Sequence, residues 1–304
     1  MGKVVTSCAV IAVAVTTAGA ADLSARVLAE YPLGPTFERS DVGIMYEWEY
    51  LLSDYGFGIG IVFDGGDYNL WISDWWETGD FGLYEFDQDG DAQSGYIPTT
   101  DDLATNDVAY SSRDGGWIVG DHAASAVETY TDSHPYFAAS IDGPSSWVRV
   151  FGVAYDTDLN VLYVGDDDAH IAYGTMTDLY SPVVWTELAG PAGEQITGLG
   201  LTPEDDYLFA LTREVTGDPP TQLSAHIYVY NVNASGAPDT SSPAFTYDIF
   251  GITTLVGGAE WDGDYLWIMD QRDTDTVMKL ALDGISPATS ITPASLGDIK
   301  ARFR

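Results

Sequence analysis

Two acidic residues, Asp107 and Glu260, stand in apolar stretches at positions where related segments of the chain carry mainly glycine or alanine. A carboxylate in such a stretch loses hydration unless it meets a cation, a hydrogen-bond donor or water. The two residues could therefore bind a ligand or hold a divalent cation. Alternatively, they could face water inside the protein and have no chemical role, because acids inside proteins are enriched at functional sites without being confined to them.

A second set of residues closes the next apolar stretch of each segment. Its members are Asp74, Asp121, Asp166 and Asp270, with Thr212 as the substitute. An aspartate in such a turn usually accepts hydrogen bonds from main-chain N–H groups two residues further on. Asp166 and Asp168, which belong to a run of three aspartates, could instead act with a neighbour as metal ligands, since calcium prefers carboxylate oxygens.

Two further features suggest binding. The segment Asp87 to Gly95 begins like a calcium loop, but Ala92 stands where that loop needs glycine, which favours an acidic hairpin turn. Trp75 and Trp76 follow Asp74 and have no counterpart in the related segments. These paired indoles would either form a binding lip at the mouth of a central channel, in the fold predicted below, or cover the strands beneath them.

Familiar catalytic motifs are absent from the sequence. It has no G-x-S-x-G elbow, no H-E-x-x-H motif and no phosphate-binding loop. The histidines, which are His122, His134, His170 and His226, lie in contexts that look unrelated. This pattern favours a non-catalytic protein and leaves an enzyme only if acidic residues and a metal perform the chemistry.

These residues all belong to one repeated unit, in which an apolar strand a is followed by a turn and an apolar strand b. The residues that close strand b recur every 45 to 58 residues. This period is typical of four-stranded propeller blades. We therefore predict an all-β protein with a single β-propeller over residues 57–284. Five blades follow from the count, or six if the terminal segments assemble another sheet.

A propeller must close, because an open end exposes the edges of its sheets. Arg26 to Tyr31 is the predicted closing strand, within an N-terminal closing segment at residues 21–56. Strand a alternates small residues on one face with large ones such as Tyr155 and Trp261 on the other, which predicts packing between blades. Aromatic residues of strand b, including Trp71 and Trp267, are assigned to the same core. The polar insertion T-G-D-P-P-T-Q at residues 216–222, with Pro219 and Pro220, predicts a loop.

Residues 1–20 have the pattern of a signal peptide, with Lys3, an apolar stretch and the small residues Ala18 to Ala20. Removal of this segment removes Cys8, the only cysteine, so no disulfide is expected. A secreted or cell-surface location follows. The formal net charge of −36 argues against nucleic acid and anionic membrane as partners. It also suggests a surface adapted to salt or to calcium.

The blade pattern resembles secreted NHL-like and lactonase-like propellers. The units at Gly60 to Gly90 and Gly258 to Gly284 carry the resemblance best, with strands such as L-W-I-S-D. Lactonase-like members hold a divalent ion in the channel, and Asp107 and Glu260 are the matching acids. Asn106 is the amide candidate. The resemblance therefore implies a propeller fold and admits a metal-dependent hydrolase of lactones or esters.

Three functions remain open from the sequence. The first is a secreted, non-catalytic module that binds an extracellular protein or glycan, with no certain cofactor and calcium as a candidate stabilising ion. The second is the metal-dependent hydrolase. The third is a structural component of a surface layer or appendage. It is suggested by the N-terminal closing strand and by the basic C-terminal tail at residues 285–304, which contains Lys300, Arg302 and Arg304.

Overall fold

The structure is a computed structural model. It describes residues 25–32, 61–63, 70–73, 82–86, 92–98, 105–121, 123–131, 136–191, 193–202, 207–217, 220–270 and 276–285. Within these ranges the regular secondary structure is entirely β. In chain order the strands are β1 (Ala25–Pro32), β2 (Ile61–Phe63), β3 (Leu70–Ser73), β4 (Gly82–Phe86), β5 (Ala92–Pro98), β6 (Thr105–Ser111), β7 (Gly116–Asp121), β8 (Ala126–Thr131), β9 (Phe137–Asp142), β10 (Gly152–Asp156), β11 (Val161–Gly165), β12 (His170–Thr175), β13 (Thr186–Ala189), β14 (Gln195–Thr202), β15 (Tyr207–Thr216), β16 (Thr221–Asn231), β17 (Phe245–Asp248), β18 (Val256–Trp261), β19 (Leu266–Asp270) and β20 (Thr276–Leu282).

The strands form five four-stranded sheets, which are the blades of a β-propeller. Blades 1 to 4 are the meanders β2–β5, β6–β9, β10–β13 and β14–β17, and blade 5 contains β18, β19, β20 and β1. The first strand of each blade lies innermost and contacts the inner strands of its neighbours. The prediction of an all-β propeller with five blades is confirmed. The resemblance to NHL-like and lactonase-like propellers holds for the architecture.

The N-terminal strand closes the ring. β1 pairs antiparallel with β20, with Ala25 opposite Leu282 and Pro32 opposite Thr276. It is therefore the outer strand of the blade built by the C-terminal part of the chain, as predicted for Arg26 to Tyr31. Ala25 and Val27 are buried against that blade. The arrangement covers an edge of β20 that would otherwise expose unpaired main-chain groups.

Small residues are required where inner strands approach each other. A Cβ atom added to Gly198 would lie 2.6 Å from the main-chain nitrogen of Ala259 in blade 5. The large residues fill the space on the other face, where the rings of Phe209 and Trp261 stack between blades 4 and 5 with centroids 5.1 Å apart. The strand b aromatics are buried, since Trp71 is 7% exposed and Trp267 is 1% exposed. The predicted alternation between blades is confirmed.

The predicted loop at residues 216–222 of blade 4 is shortened at both ends by strands. β15 continues to Thr216 and β16 starts at Thr221, so the two strands form a hairpin that projects beyond the other blades. Thr216 pairs with Thr221. Thr216, Thr221 and Gln222 of the predicted loop therefore belong to paired strands. This hairpin forms one wall of the cleft described below.

Several predicted features lie outside the described residues: the signal segment at residues 1–20, most of the closing segment, Asp74, the acidic turn at residues 87–91 and the basic end of the tail. Among the residues that the structure does describe, no helix is long and apolar enough to cross a membrane.

Candidate functional site

Asp107 lies at the centre of the propeller and is fully buried. It belongs to a β-bulge in β6, where the register with β7 shifts between Thr105 and Val108. A bulge re-aims the side chain that it carries. The Oδ2 atom of Asp107 accepts hydrogen bonds from the main-chain N–H of Val153 at 3.0 Å and of Leu199 at 2.8 Å. One carboxylate thus links blades 2, 3 and 4.

Glu260 shares this central region. It lies on β18 opposite Trp267 and is only partly exposed to solvent. Burial, together with the negative charges of Asp107 and Asp262, raises the pKa of Glu260 well above its ordinary value. The structure therefore brings the two predicted acids into electrostatic contact. Glu260 therefore holds its proton to a higher pH than an ordinary glutamate does.

Metal binding by these acids stays a prediction. In the described part of the chain, no group of three or more histidine, cysteine or acidic residues is placed to hold a metal ion. Asp166, the other main candidate, uses Oδ1 to accept from the main-chain N–H of Asp168 at 3.0 Å and of His170 at 2.7 Å. This geometry confirms that Asp166 caps its turn.

The other described aspartates of this set also bind main-chain groups. Asp121 accepts from the N–H of Ala123 at 2.7 Å, two residues further on. Asp270 differs, because its Oδ1 accepts from Thr254 and Leu255 in the segment that leads into β18. These carboxylates organise one face of the propeller, formed by the turns between the second and third strands of each blade and by the segments that connect blades. We name it the b–c turn face.

A cleft of about 250 Å³ opens on the b–c turn face between blades 3 and 4. One side is the turn that carries Asp167 and Asp168, and the other is the projecting hairpin of β15 and β16. Its lining residues are Asp167, Asp168, Gly193, Glu194, Gln195, Arg213, Glu214 and Val215. Four carboxyl groups and a single guanidinium give the cleft an excess of negative charge.

Arg213 is held by the protein on the inner side of the cleft. Its guanidinium donates to the main-chain oxygen of Val256 at 2.8 Å and to the Oε1 atom of Gln195 at 3.5 Å. Burial lowers its pKa to about 10, so it remains charged at neutral pH. Since Arg213 is directed towards Val256 of blade 5, the acidic residues dominate the open part of the cleft.

Glu194 anchors a hydrogen-bonded cluster on the blade 4 side. Its Oε1 atom accepts from Ser224 at 2.7 Å and contacts the Nδ1 atom of His226 at 2.7 Å. Its Oε2 atom accepts from the hydroxyl of Thr212. Burial raises the pKa of Glu194, but the hydrogen-bond donors, of which His226 has the largest effect, lower it by more in total. The pKa of Glu194 is therefore lowered. Glu194 therefore keeps its charge next to the cleft.

Blade 3 carries a similar pair. The Nδ1 atom of His170 lies 2.8 Å from Oδ2 of Asp166. The ring of His170 stacks on Trp147 with centroids 6.2 Å apart. Asp167, the next residue along the turn, forms an ion pair with Arg149 at 3.3 Å. Burial is the main cause that raises the pKa of Asp167, and Arg149 opposes it.

The histidines are therefore not all unrelated, and that part of the sequence prediction is wrong. His170 and His226 occupy equivalent positions, each opposite the residue that closes strand b of its blade. In blade 3 the closing residue Asp166 supplies the carboxylate. Thr212 closes the strand in blade 4, and Glu194 supplies the carboxylate from a different segment. The insertion between Thr212 and His226 hides this equivalence when the units are aligned by spacing.

Trp75 and Trp76 lie outside the described residues, so the binding lip that they would form stays a prediction. Asn106, the predicted amide, is fully buried and donates from Nδ2 to the main-chain oxygen of Val150 at 2.7 Å. It thereby links blade 2 to the segment that enters blade 3.

Comparisons with known proteins concern the fold alone. No protein-family model matches the chain, and no curated protein matches it. Similar solved structures include a nidogen/laminin complex, with 15% identity, a TM-score of 0.45 and coverage of 70% of this chain and 72% of that chain. Hydrazine synthase of Kuenenia stuttgartiensis has 13% identity, a TM-score of 0.46 and coverage of 72% and 57%, respectively. Virginiamycin B lyase from Staphylococcus aureus has 12% identity, a TM-score of 0.42 and coverage of 73% and 65%.

Proposed function

We propose that this protein is a secreted or cell-surface interaction module that binds an extracellular protein through its b–c turn face. The observation that carries the proposal is the acidic cleft between blades 3 and 4. One wall is a turn capped by the side chain of Asp166, and the other is a hairpin fixed by main-chain hydrogen bonds. A preformed concave site on a rigid scaffold loses little conformational entropy when a partner binds.

The negative charge of the cleft favours a positively charged partner. Asp168, Glu194 and Glu214 present carboxylates, and the protein as a whole has a formal net charge of −36. Complementary charge speeds encounter and disfavours partners of the same sign. The proposed partner is therefore a protein segment with lysine or arginine side chains. The indoles of Trp75 and Trp76 would extend the contact surface on blade 1.

Export is part of the proposal and rests on the signal-like pattern of residues 1–20. N-terminal sequencing of the protein recovered outside its host cells should begin near Ala21. Recovery of an intact Met1 terminus inside the cells would contradict export.

The binding proposal is tested with a defined probe, a short capped peptide that carries two lysines, titrated calorimetrically at low ionic strength. The double variant Asp168→Asn/Glu214→Gln should weaken binding about fivefold, since each exposed charge pair contributes roughly 0.5 kcal/mol. The matched control Asp158→Asn/Asp264→Asn removes two exposed acids from turns on the opposite face. Equal weakening by both double variants would show a general charge effect and contradict a site at the cleft.

The hydrolase and surface-layer alternatives stay predictions. Metal analysis of the mature protein together with a lactone hydrolysis assay tests the first. Retention at the cell surface after deletion of residues 295–304 tests the second.

A further inference from the structure

The His226–Glu194 pair joins a titratable ring directly to the wall of the cleft. Glu194 lines the cleft and its side chain is 11% exposed, whereas that of His226 is 25% exposed. Because Ser224 and Thr212 also donate to Glu194, the carboxylate is held in one place by three side chains. The position of Glu194 therefore does not depend on the charge of the ring.

We propose that the protonation of His226 controls the charge of the cleft and so makes binding of a cationic partner pH-dependent. The inference rests on the proposed function, because it concerns regulation of the same cleft. The Nδ1–H of His226 can donate to Glu194 whether the ring is neutral or charged, and the second nitrogen then carries or lacks the titrating proton. Titration thus changes the local charge by one unit without breaking the hydrogen bond.

The groups around His226 favour the charged ring. Glu194 faces it from the segment before β14, and Asp248 lies opposite it on the neighbouring strand β17. On its own strand the ring of Tyr228 lies 5.6 Å away, centroid to centroid. From β15, Thr212 contributes a neutral hydroxyl that contacts the main-chain oxygen of His226.

Of the charged groups described around the imidazole of His226, two are acids and none is a cation. The hydrogen bond with Glu194 raises the pKa of His226, burial opposes this, and the charges of Glu194 and Asp248 add to the rise. The ring consequently gains its charge at a higher pH than a free histidine, whose pKa is about 6.5. Histidine suits such a role because modest shifts of its pKa change its charge state within the physiological pH range.

The sign of the effect follows. Below the pKa, the imidazolium neutralises Glu194 and the cleft is less negative, so a cationic partner binds more weakly. Above the pKa the negative charge of Glu194 is uncompensated and binding is tighter. One additional charge near an exposed contact changes affinity about threefold, on the scale of measured surface ion pairs.

The test uses the same two-lysine peptide, titrated from pH 6 to pH 8.5 at constant ionic strength, because lysine keeps its charge over this range. Wild-type affinity should rise about threefold with pH. His226→Asn keeps a donor for Glu194 but cannot titrate, so its affinity should vary less with pH. His170→Asn is the comparison variant: its carboxylate partner Asp166 does not line the cleft, although the charge of Asp168, which does, also bears on its ring. This variant should therefore keep the part of the pH dependence that belongs to His226.

Asp167 also lines the cleft and has a raised pKa. Its titration is shared by wild type and His226→Asn, so the difference between the two proteins isolates His226. Nuclear magnetic resonance spectra check that each variant is folded, and the imidazole signals in them report the titration of the histidines that remain. Binding with the same pH dependence in wild type and His226→Asn would overturn this inference and leave the proposed function standing. Absence of peptide binding at every pH would overturn both.

Discussion

The carboxylate of Asp107 in blade 2 accepts a hydrogen bond from the main-chain N–H of Leu199 in blade 4, at 2.8 Å and across 92 residues of sequence. The same oxygen binds Val153 of blade 3. The inner strands of a propeller have no partner strand on the axial side, so their N–H groups there need another acceptor. Asp107 supplies this acceptor to two of them.

Replacement of Asp107 by alanine should lower the free energy of unfolding by about 3 kcal/mol, because two buried N–H groups would lose their acceptor. Asp107→Asn should cost less, since its amide oxygen can still accept. Urea denaturation measures both, with the exposed-site variant Asp158→Ala as control. A loss for Asp107→Ala no larger than for Asp158→Ala would contradict the bridging role.

Replacement of Glu260 by glutamine should stabilise the protein at alkaline pH and have little effect at pH 4. Burial and the charges of Asp107 and Asp262 raise the pKa of Glu260 in the folded state. A raised carboxyl pKa means that the unfolded chain releases the proton first, so wild-type stability falls as pH rises above about 4.3 towards the folded pKa. Glutamine removes this loss. Melting temperatures of the two proteins, measured from pH 4 to pH 9, should diverge progressively, and parallel curves would contradict the raised pKa of Glu260.

Gly198 and Gly200 offer a matched pair for the packing of inner strands. A Cβ atom at Gly198 would lie 2.6 Å from the main chain of Ala259, but at Gly200 the nearest atom would be 3.4 Å away. Gly198→Ala should therefore lower stability by about 1–3 kcal/mol through overpacking, and Gly200→Ala by less. Chemical denaturation compares the two. A larger loss at Gly200 would refute the close approach of blades 4 and 5.

The repeat made the architecture predictable because spacing and alternation are local properties of the sequence. Asp166 and Asp121 could be recognised as turn caps because the main-chain N–H groups that donate to them lie within a few residues. The His226–Glu194 pair could not, since its members are 32 residues apart in sequence and meet only when β16 folds back over the inner strand. The role of Asp107 was hidden for a similar reason. Its hydrogen bonds depend on a bulge in β6 and on neighbouring blades that are distant in sequence.

The large negative charge should make stability depend on salt. The screening length falls from ~30 Å at 0.01 M to ~3 Å at 1 M salt, so sodium chloride should raise the melting temperature by relieving repulsion. A specific calcium site would add a rise at millimolar calcium that sodium does not reproduce, because the ion would bind only the folded state. We expect the general effect with a smaller calcium increment. Melting curves that stay flat in both titrations would contradict a destabilising role of the charge.

Hydrogen exchange with and without the two-lysine peptide tests most directly whether the cleft on the b–c turn face is the binding surface. Binding should slow exchange in residues 193–195 and 213–216, which line or flank the cleft. The turns that contain Asp158 and Asp264, on the opposite face, should exchange at unchanged rates. Protection confined to those opposite turns, with the cleft segments unaffected, would contradict the account.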